Sequence, residues 1–325
     1  MGKSAVVFGG AGFIGTHLLE ALATSDRYDS LVSCDVSTAR WRVRGVEYIN
    51  ADITRAICPA GMERVDEIYN LAAVHTTPGH EDWEYYWANV LGATHVCDFA
   101  RRVGCETIVF TSSIAVYGPT EEPLEESSEL KPESAYGKSK FCAEQIHHQW
   151  QREAPERRKL VTVRPAVIYG REERGNFTRM ARMLAKKRFA FPGRTDTIKS
   201  CGYVKDLVGS FGFALERDEQ TITYNFALPE RHTAKDIAET FAEVGGYEPA
   251  KRVIPLRLML IAAWGFEVLN ALGLKTSINR PRIMKLNRST NVVPKRLQEL
   301  GFKYQYPLKR SLEDWKAEST TSDFD

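Results

Sequence analysis

A glycine fingerprint placed directly behind a strand-like run limits this chain to very few folds. Residues 5–8, Ala-Val-Val-Phe, form a short apolar run that leads into Gly9-Gly10-Ala11-Gly12-Phe13-Ile14-Gly15, with a helical pattern following over Phe13–Ala23. In such a strand-loop-helix unit the first glycine permits the tight turn and the second lets backbone amides approach a pyrophosphate. The third lets the helix pack closely, and the helix N-terminus supplies the positive end. Asp35 closes the second strand-like run twenty residues after Gly15, where a carboxylate can accept hydrogen bonds from ribose hydroxyls. Loop and acid together point to a dinucleotide, and a carboxylate at that place repels the 2′-phosphate of NADP, so NAD is expected. Arg40 and Arg42 follow within a few residues. They are the groups that would rescue NADP binding if they were not ordinary surface arginines.

The same alternation continues through the first half. Strand-like runs at 30–34, Val46–Asn50, Glu67–Asn70, Thr107–Thr111 and 160–164 are separated by helical stretches such as 83–103 and 136–154. Strands regularly separated by helices pair in parallel with helices on both faces, so the expected class is α/β, a doubly wound parallel sheet of Rossmann type. The expected division is a dinucleotide-binding domain over 1–165, completed by later segments at about 200–230. A smaller substrate lobe over 166–318 interleaves with it, and 319–325 forms a flexible tail.

Lys and Arg number 44 against 42 Asp and Glu, a net +2 that is too balanced to attract nucleic acid over the whole surface. No two of the six cysteines form a CxxC pair, and the seven histidines show no HExxH or three-ligand spacing, so no metal is expected. The start of the chain has no room for a signal peptide before its first strand, which predicts a cytoplasmic protein. The weakly charged run at 258–266 is too short to span a bilayer. It is followed by Lys275, Arg280, Arg282, Lys285, Arg288, Lys295 and Arg296 with no acid before Glu299. An apolar helix beside a basic stretch can touch a membrane surface, although a core helix followed by a solvated face is the plainer expectation.

Tyr136 and Lys140 are four residues apart, on one face of a helix. A tyrosine is a poor base at neutral pH, and positive charge from the lysine and from an oxidised nicotinamide favours its phenolate. With the glycine loop, this chain resembles the extended short-chain dehydrogenase/reductases, the group of nucleotide-sugar epimerases, dehydratases and reductases. The resemblance spans nearly the whole chain. It rests on Gly9 to Gly15, Asp52-Ile53, Asn70-Leu71-Ala72-Ala73, Thr111-Ser112-Ser113-Ile114-Ala115-Val116-Tyr117-Gly118, Tyr136 to Lys140, and Arg164-Pro165. It implies Ser113 as the triad serine, with Ser112 as the neighbouring alternative. Tyr136 is then the acid/base, and Lys140 the residue that binds the nicotinamide ribose and lowers the tyrosine pKa. Gly9, Gly12, Phe13 and Ile14 would hold the cofactor with Asp35, Asp52 and Ile53 would flank the adenine, Ala72 would line the cofactor, and Asn89 would buttress the site.

Such a triad suits hydride transfer at a secondary alcohol. Ile114 and Ala115 stand where the resembling dehydratases have Asp and Glu; neither moves a proton, which argues against water elimination. A nucleotide-sugar 4-epimerase is the expected activity, with a 4-ketoreductase, a 3β-hydroxysteroid-type dehydrogenase and a non-catalytic dinucleotide sensor as alternatives. Gly175-Asn176-Phe177 resembles the family loop that grips a diphosphate, with Asn176 as ligand and Lys199 and Arg282 as further candidates. Lys199 stands in place of a common arginine, and Val167 in place of an asparagine found in many epimerases. The expected partners are a nucleotide sugar and a second copy of the chain.

Overall fold

The computed structural model describes residues 2–57, 62–76, 79–271, 280–320 and 324–325, with side chains throughout except at 268–271, 281, 282 and 285. The first half runs β1 (Lys3–Phe8), α1 (Phe13–Ala23), β2 (Tyr28–Asp35), β3 (Val46–Asn50), β4 (Glu67–Asn70), α2 (Asp82–Tyr86), α3 (Gly92–Arg102), β5 (Thr107–Thr111), β6 (Thr120–Leu124), α4 (Ala135–Arg152) and β7 (Lys159–Pro165). The second runs β8 (Val167–Tyr169), α5 (Asn176–Ala185), β9 (Phe191–Pro192), β10 (Cys201–Tyr203), α6 (Val204–Leu215), β11 (Thr221–Phe226), α7 (Ala234–Gly245), β12 (Val253–Ile254), α8 (Leu256–Ala271), α9 (Arg280–Asn287), β13 (Thr290–Val292), α10 (Lys295–Glu299) and α11 (Leu308–Glu318).

Seven strands form one parallel sheet in the order β11-β7-β5-β4-β1-β2-β3. The order reverses between β1 and β4, so the crevice for a ligand opens at the carboxyl ends of those two strands. Side chains of a strand point alternately to the two faces. On β1, Val6 and Phe8 join Phe99, Phe110 and Trp150 in one apolar layer, whereas Ala5 and Val7 join Leu18, Leu19, Val163 and Phe211 in the other. Both faces are covered, which is why these strands read as continuous apolar runs rather than alternating ones.

The stretch expected as one helix over 83–103 is interrupted. A single wide turn of π-helix, Trp87–Leu91, separates α2 from α3. β11 closes the edge of the main sheet beside β7, while β13 returns from far along the chain to pair with β6. The later segments are thus sewn into the first half at two places.

The chain end departs from the expected tail. Phe324 is fully buried, its ring edge-on to Phe241 at 5.0 Å and to Trp315 at 5.3 Å. Trp315 Nε1 and the Glu172 amide both donate to the Asp325 carbonyl, at 3.3 and 3.2 Å. Phe324 adopts a left-handed φ of 58°, which costs about 1–2 kcal/mol. Burial of the ring contributes about 1.5–3 kcal/mol, so docking wins, though the segment lacks any apolar periodicity in sequence. Phe324→Ala is expected to lower unfolding stability by roughly 3 kcal/mol, the lower end for a buried aromatic. A urea-melt difference below about 0.5 kcal/mol would show that the ring contributes nothing.

Candidate active site

The glycine loop is built as its spacing required. Gly9 has φ +80°, and a Cβ there would lie 2.6 Å from the Ala72 amide nitrogen, so a side chain would push β1 and β4 apart at the crevice. A Cβ at Gly15 would stand 2.2 Å from the Gly9 carbonyl oxygen, so only glycine lets α1 start this close. Gly12 caps α1 in extended conformation without a side-chain hydrogen bond, and the first turn has no acid. Its amides face a mouth suited to an anion. Phe13 and Ile14 form the opening residues of that turn.

Asp35 ends β2, with Oδ2 accepting from the Ala11 amide at 3.1 Å and Oδ1 from the Ser37 amide at 2.9 Å. The carboxylate is therefore held at the loop. The two nearby arginines are engaged elsewhere: Arg40 bonds the Glu172 carbonyl, and Arg42 lies 5.0 Å over the Tyr48 ring. The donor set fits a dinucleotide with free ribose hydroxyls. Asp35→Ala is expected to narrow the preference for NAD over NADP at least about 10-fold, since it removes one charge repulsion and a hydrogen-bonded carboxylate; calorimetric titration of both cofactors, with an unchanged ratio, would refute this.

Asp52 accepts from Thr54 Oγ1 at 2.7 Å and the Thr54 amide at 2.9 Å, bonds that hold its carboxyl below the usual range and close its own turn. The buried Ile53 packs where Gly92 leaves room, since a Cβ at 92 would lie 2.4 Å from Ile53 Cδ1.

On the other side of the crevice, Ser113 follows β5 in extended conformation and caps a short 3-10 turn, Ile114–Val116, its Oγ accepting from the Ala115 amide at 3.1 Å. Helix α4 starts against this turn. Ser134 caps it by accepting from the Gly137 amide at 3.1 Å, and a Cβ at 137 would come 2.4 Å from the Ala115 carbonyl oxygen. Gly137 thus permits the approach that sets Tyr136 near Ser113, which draws its phenol down. Of the two candidate serines, Ser113 is the one that acts on the Tyr136 phenol, and the Ser112 Oγ is buried with no hydrogen-bond partner.

Burial raises the Tyr136 phenol, and the nearby Ser113 offsets this only in part. Lys140 is fully buried one turn on, its Nζ 4.5 Å from the Phe110 ring centroid, and desolvation brings its pKa down to about 7 although Glu144 draws it up. In the polypeptide alone, burial therefore outweighs what lowers the phenol. The same Phe110 ring stacks on His147 at 4.0 Å; burial lowers that imidazole to about 3, so it stays neutral.

Of three supporting features, only the first, Asn89, was expected from the resemblance. Asn89, in the π turn, accepts from the Val74 amide at 2.9 Å and donates to the Val74 carbonyl at 3.1 Å and Ser139 Oγ at 2.9 Å. Ser139 Oγ in turn donates to the Tyr136 carbonyl at 2.8 Å. The π turn thereby locks the loop after β4 to the helix of Tyr136. Buried Tyr85 sets its ring 6.2 Å from that of Tyr136 and donates to the Thr76 carbonyl at 2.6 Å. Below Lys140, Arg164 Nε and Nη2 grip both Glu144 oxygens at 2.9 and 2.8 Å, and Nη1 donates to Tyr117 at 2.7 Å. Tyr117 donates to Asn225 at 2.9 Å, and Asn225 to the Val293 carbonyl at 3.0 Å.

The substrate candidates are less convergent. Asn176 opens α5, exposed, its Oδ1 bound by Arg179 at 2.9 Å. Lys199 donates to the Arg288 carbonyl at 2.6 Å, beside the end of α9. Arg282 lies on α9, and its side chain falls outside the described residues. Among the described residues no three His, Cys, Asp or Glu side chains are grouped to hold a metal.

The profile of the NAD dependent epimerase/dehydratase family matches residues 5–227. The N-acetyl-α-D-glucosaminyl-diphospho-ditrans,octacis-undecaprenol 4-epimerase of Escherichia coli O157:H7 is 27% identical over 316 residues, 96% of this chain and 94% of that protein. UDP-glucose 4-epimerase 3 of Oryza sativa subsp. japonica is 27% identical over 299 residues, covering 79% of this chain and 80% of the relative. The Thermotoga maritima UDP-glucose 4-epimerase structure with UDP-glucose shares the fold, with a TM-score of 0.75 at 19% identity over 96% of this chain and 97% of the other. From the glycine loop at the switch point to the tyrosine helix facing it, the chain belongs to the NAD dependent epimerase/dehydratase family, a family of enzymes whose cofactor is NAD.

Proposed function

We propose that the chain is a nucleotide-sugar 4-epimerase that works by reversible hydride transfer through Ser113, Tyr136 and Lys140. The observation that carries this reading is the close approach of α4 to the turn after Ser113 at Gly137, which sets Tyr136 near Ser113, together with a loop whose Gly9 and Gly12 suit a pyrophosphate. Tyr136 takes the proton of the sugar hydroxyl, and Ser113 donates to the oxygen as it becomes a carbonyl. Lys140 holds the ribose and adds positive charge beneath the phenol. NAD, when bound, accepts the hydride and brings the positive ring charge that favours the phenolate. Returning the hydride to the other face of the keto sugar gives the epimer, and Tyr136 gives the proton back. Ile114 and Ala115, beside Ser113, offer no second acid/base for elimination.

The relative from Escherichia coli O157:H7 favours a second carrier for the same sugar chemistry, a polyprenyl diphosphate in place of a nucleotide. The reading includes a cytoplasmic homodimer, whose mass light scattering would give. The deciding experiment denatures the purified protein and measures released NAD(H), then supplies UDP-, GDP-, CDP- and dTDP-sugars and a polyprenyl-diphospho-hexosamine with no added cofactor. Interconversion of epimers by protein carrying its own NAD is the expected result. Turnover only with stoichiometric added NAD(P)H would make the enzyme a ketoreductase, and oxidation of sterols with no action on any sugar would make it a hydroxysteroid-type dehydrogenase.

A further inference from the structure

Helix α8 presents an apolar face to water. Leu258, Ile261 and Trp264 are 60%, 65% and 58% exposed, and Ala262 is exposed between them. At 100° per residue these four positions lie on one side of the helix, while Ala263 is buried on the other. The strand before it adds exposed Val253 and Ile254. A helix that is apolar all round is ordinarily enclosed; this one is enclosed on one side only. No helix among the described residues is long and apolar enough to cross a membrane.

Charge says what covers it. From 249 to the end of α9 at 287 the sequence carries Lys251, Arg252, Arg257, Lys275, Arg280, Arg282 and Lys285 against one acid, Glu267. That is a local +6 in a chain of +2, so the rest of the protein carries −4. Glu267 is itself paired with Arg280 at 2.8 Å. The basic residues beyond α9 are bound elsewhere in the fold: Arg288 to Glu133, Lys295 to Glu125 and Arg296 to Glu219. An exposed stripe with a tryptophan, beside exposed Lys251, Arg252 and Arg257, matches the boundary of an anionic bilayer, where apolar side chains enter the acyl edge and cations meet phosphate headgroups. We propose that α8, with the preceding Val253–Ile254 edge, is a docking face for an anionic lipid bilayer, lying in the plane of its surface. The face belongs to the lobe of the candidate diphosphate ligands. Gly193 packs against Leu256 of α8 and Asn287 of α9, and the Arg288 carbonyl just past α9 receives Lys199. A bilayer-bound enzyme would thus hold its substrate lobe against the membrane.

The test is co-sedimentation of the full-length, NAD-bound protein with vesicles of phosphatidylcholine alone or mixed equally with phosphatidylglycerol. The expected result is binding to the mixed vesicles at least about 10-fold tighter than to the neutral ones, weakened by added salt. Leu258→Ser/Ile261→Ser/Trp264→Ser should leave the protein in the supernatant. Lys251→Glu/Arg252→Glu/Arg257→Glu, at exposed positions, should remove the anionic preference even if the first variant misfolds. A wild type that stays in the supernatant with both vesicles would overturn the proposal, and so would a serine variant that folds and binds as well as wild type. A wild-type dimer that the serine variant turns into a monomer, without vesicle binding by either, assigns the face to a second copy instead. The vesicle readout needs no turnover, so it stands or falls separately from the epimerase reading.

Discussion

Tyr136→Phe is expected to cut sugar turnover at least about 100-fold, the low end for loss of a positioned acid/base, while leaving NAD content near the wild-type level. The ring that packs beside Tyr85 stays and only the hydroxyl oxygen goes. Steady-state rates with the sugar found in the epimer screen, alongside NAD released on denaturation, separate the two effects. A variant with wild-type turnover would remove Tyr136 from the chemistry. A variant that also lost its NAD would make the hydroxyl a cofactor ligand first.

The second large effect concerns stability rather than rate. Arg164 is buried and holds Glu144 through two hydrogen bonds, with Tyr117 on its third nitrogen. Glu144→Ala leaves that guanidinium without its counter-charge, and breaking a buried pair from one side costs about 3–5 kcal/mol. Burial opposes the Arg164 charge, and Glu144 raises its pKa in spite of that. Arg164→Met/Glu144→Met, which removes both charges, is expected to recover most of the loss, because an apolar replacement avoids desolvating either ion. Chemical denaturation of the two variants decides it. Equal losses in the single and double variants would show that packing, not the unpaired charge, sets the cost.

The middle of the sheet was legible because β1, β4 and β5 are largely buried on both faces, and the half-exposed edge strand β3 because of its β-branched and aromatic residues. Val46–Asn50, Glu67–Asn70 and Thr107–Thr111 lie where their side-chain pattern put them. The short pairings β6–β13, β8–β10 and β9–β12 escaped notice, since strands of two to five residues, some with proline, carry no periodicity. Of the site, the glycine loop, Asp35, Tyr136 and Lys140 stood out by their spacing, and Ser113 by the family resemblance. Tyr85 and the Glu144–Arg164 pair did not, because their contacts join segments far apart in sequence. The candidate diphosphate ligands lie between these cases. Asn176 opens α5 and Lys199 lies in the loop before β10, and no local rule relates such distant segments to one another.

The π turn at Trp87–Leu91 also sets what kind of change this region tolerates. One extra residue in a turn shifts the angular phase of everything after it by about 100°. Tyr85 lies before the shift and the apolar face of α3, with Val96, Phe99 and Ala100, lies after it. Removing a single residue from the turn would let an ordinary α-helix form with its own hydrogen bonds intact, but the two halves would then face different ways. Either Tyr85 would rotate away from Tyr136 or the α3 side chains would leave the sheet. Deletion of Val90, a change in chain length, is therefore more disruptive here than its replacement by alanine, which alters only a side chain.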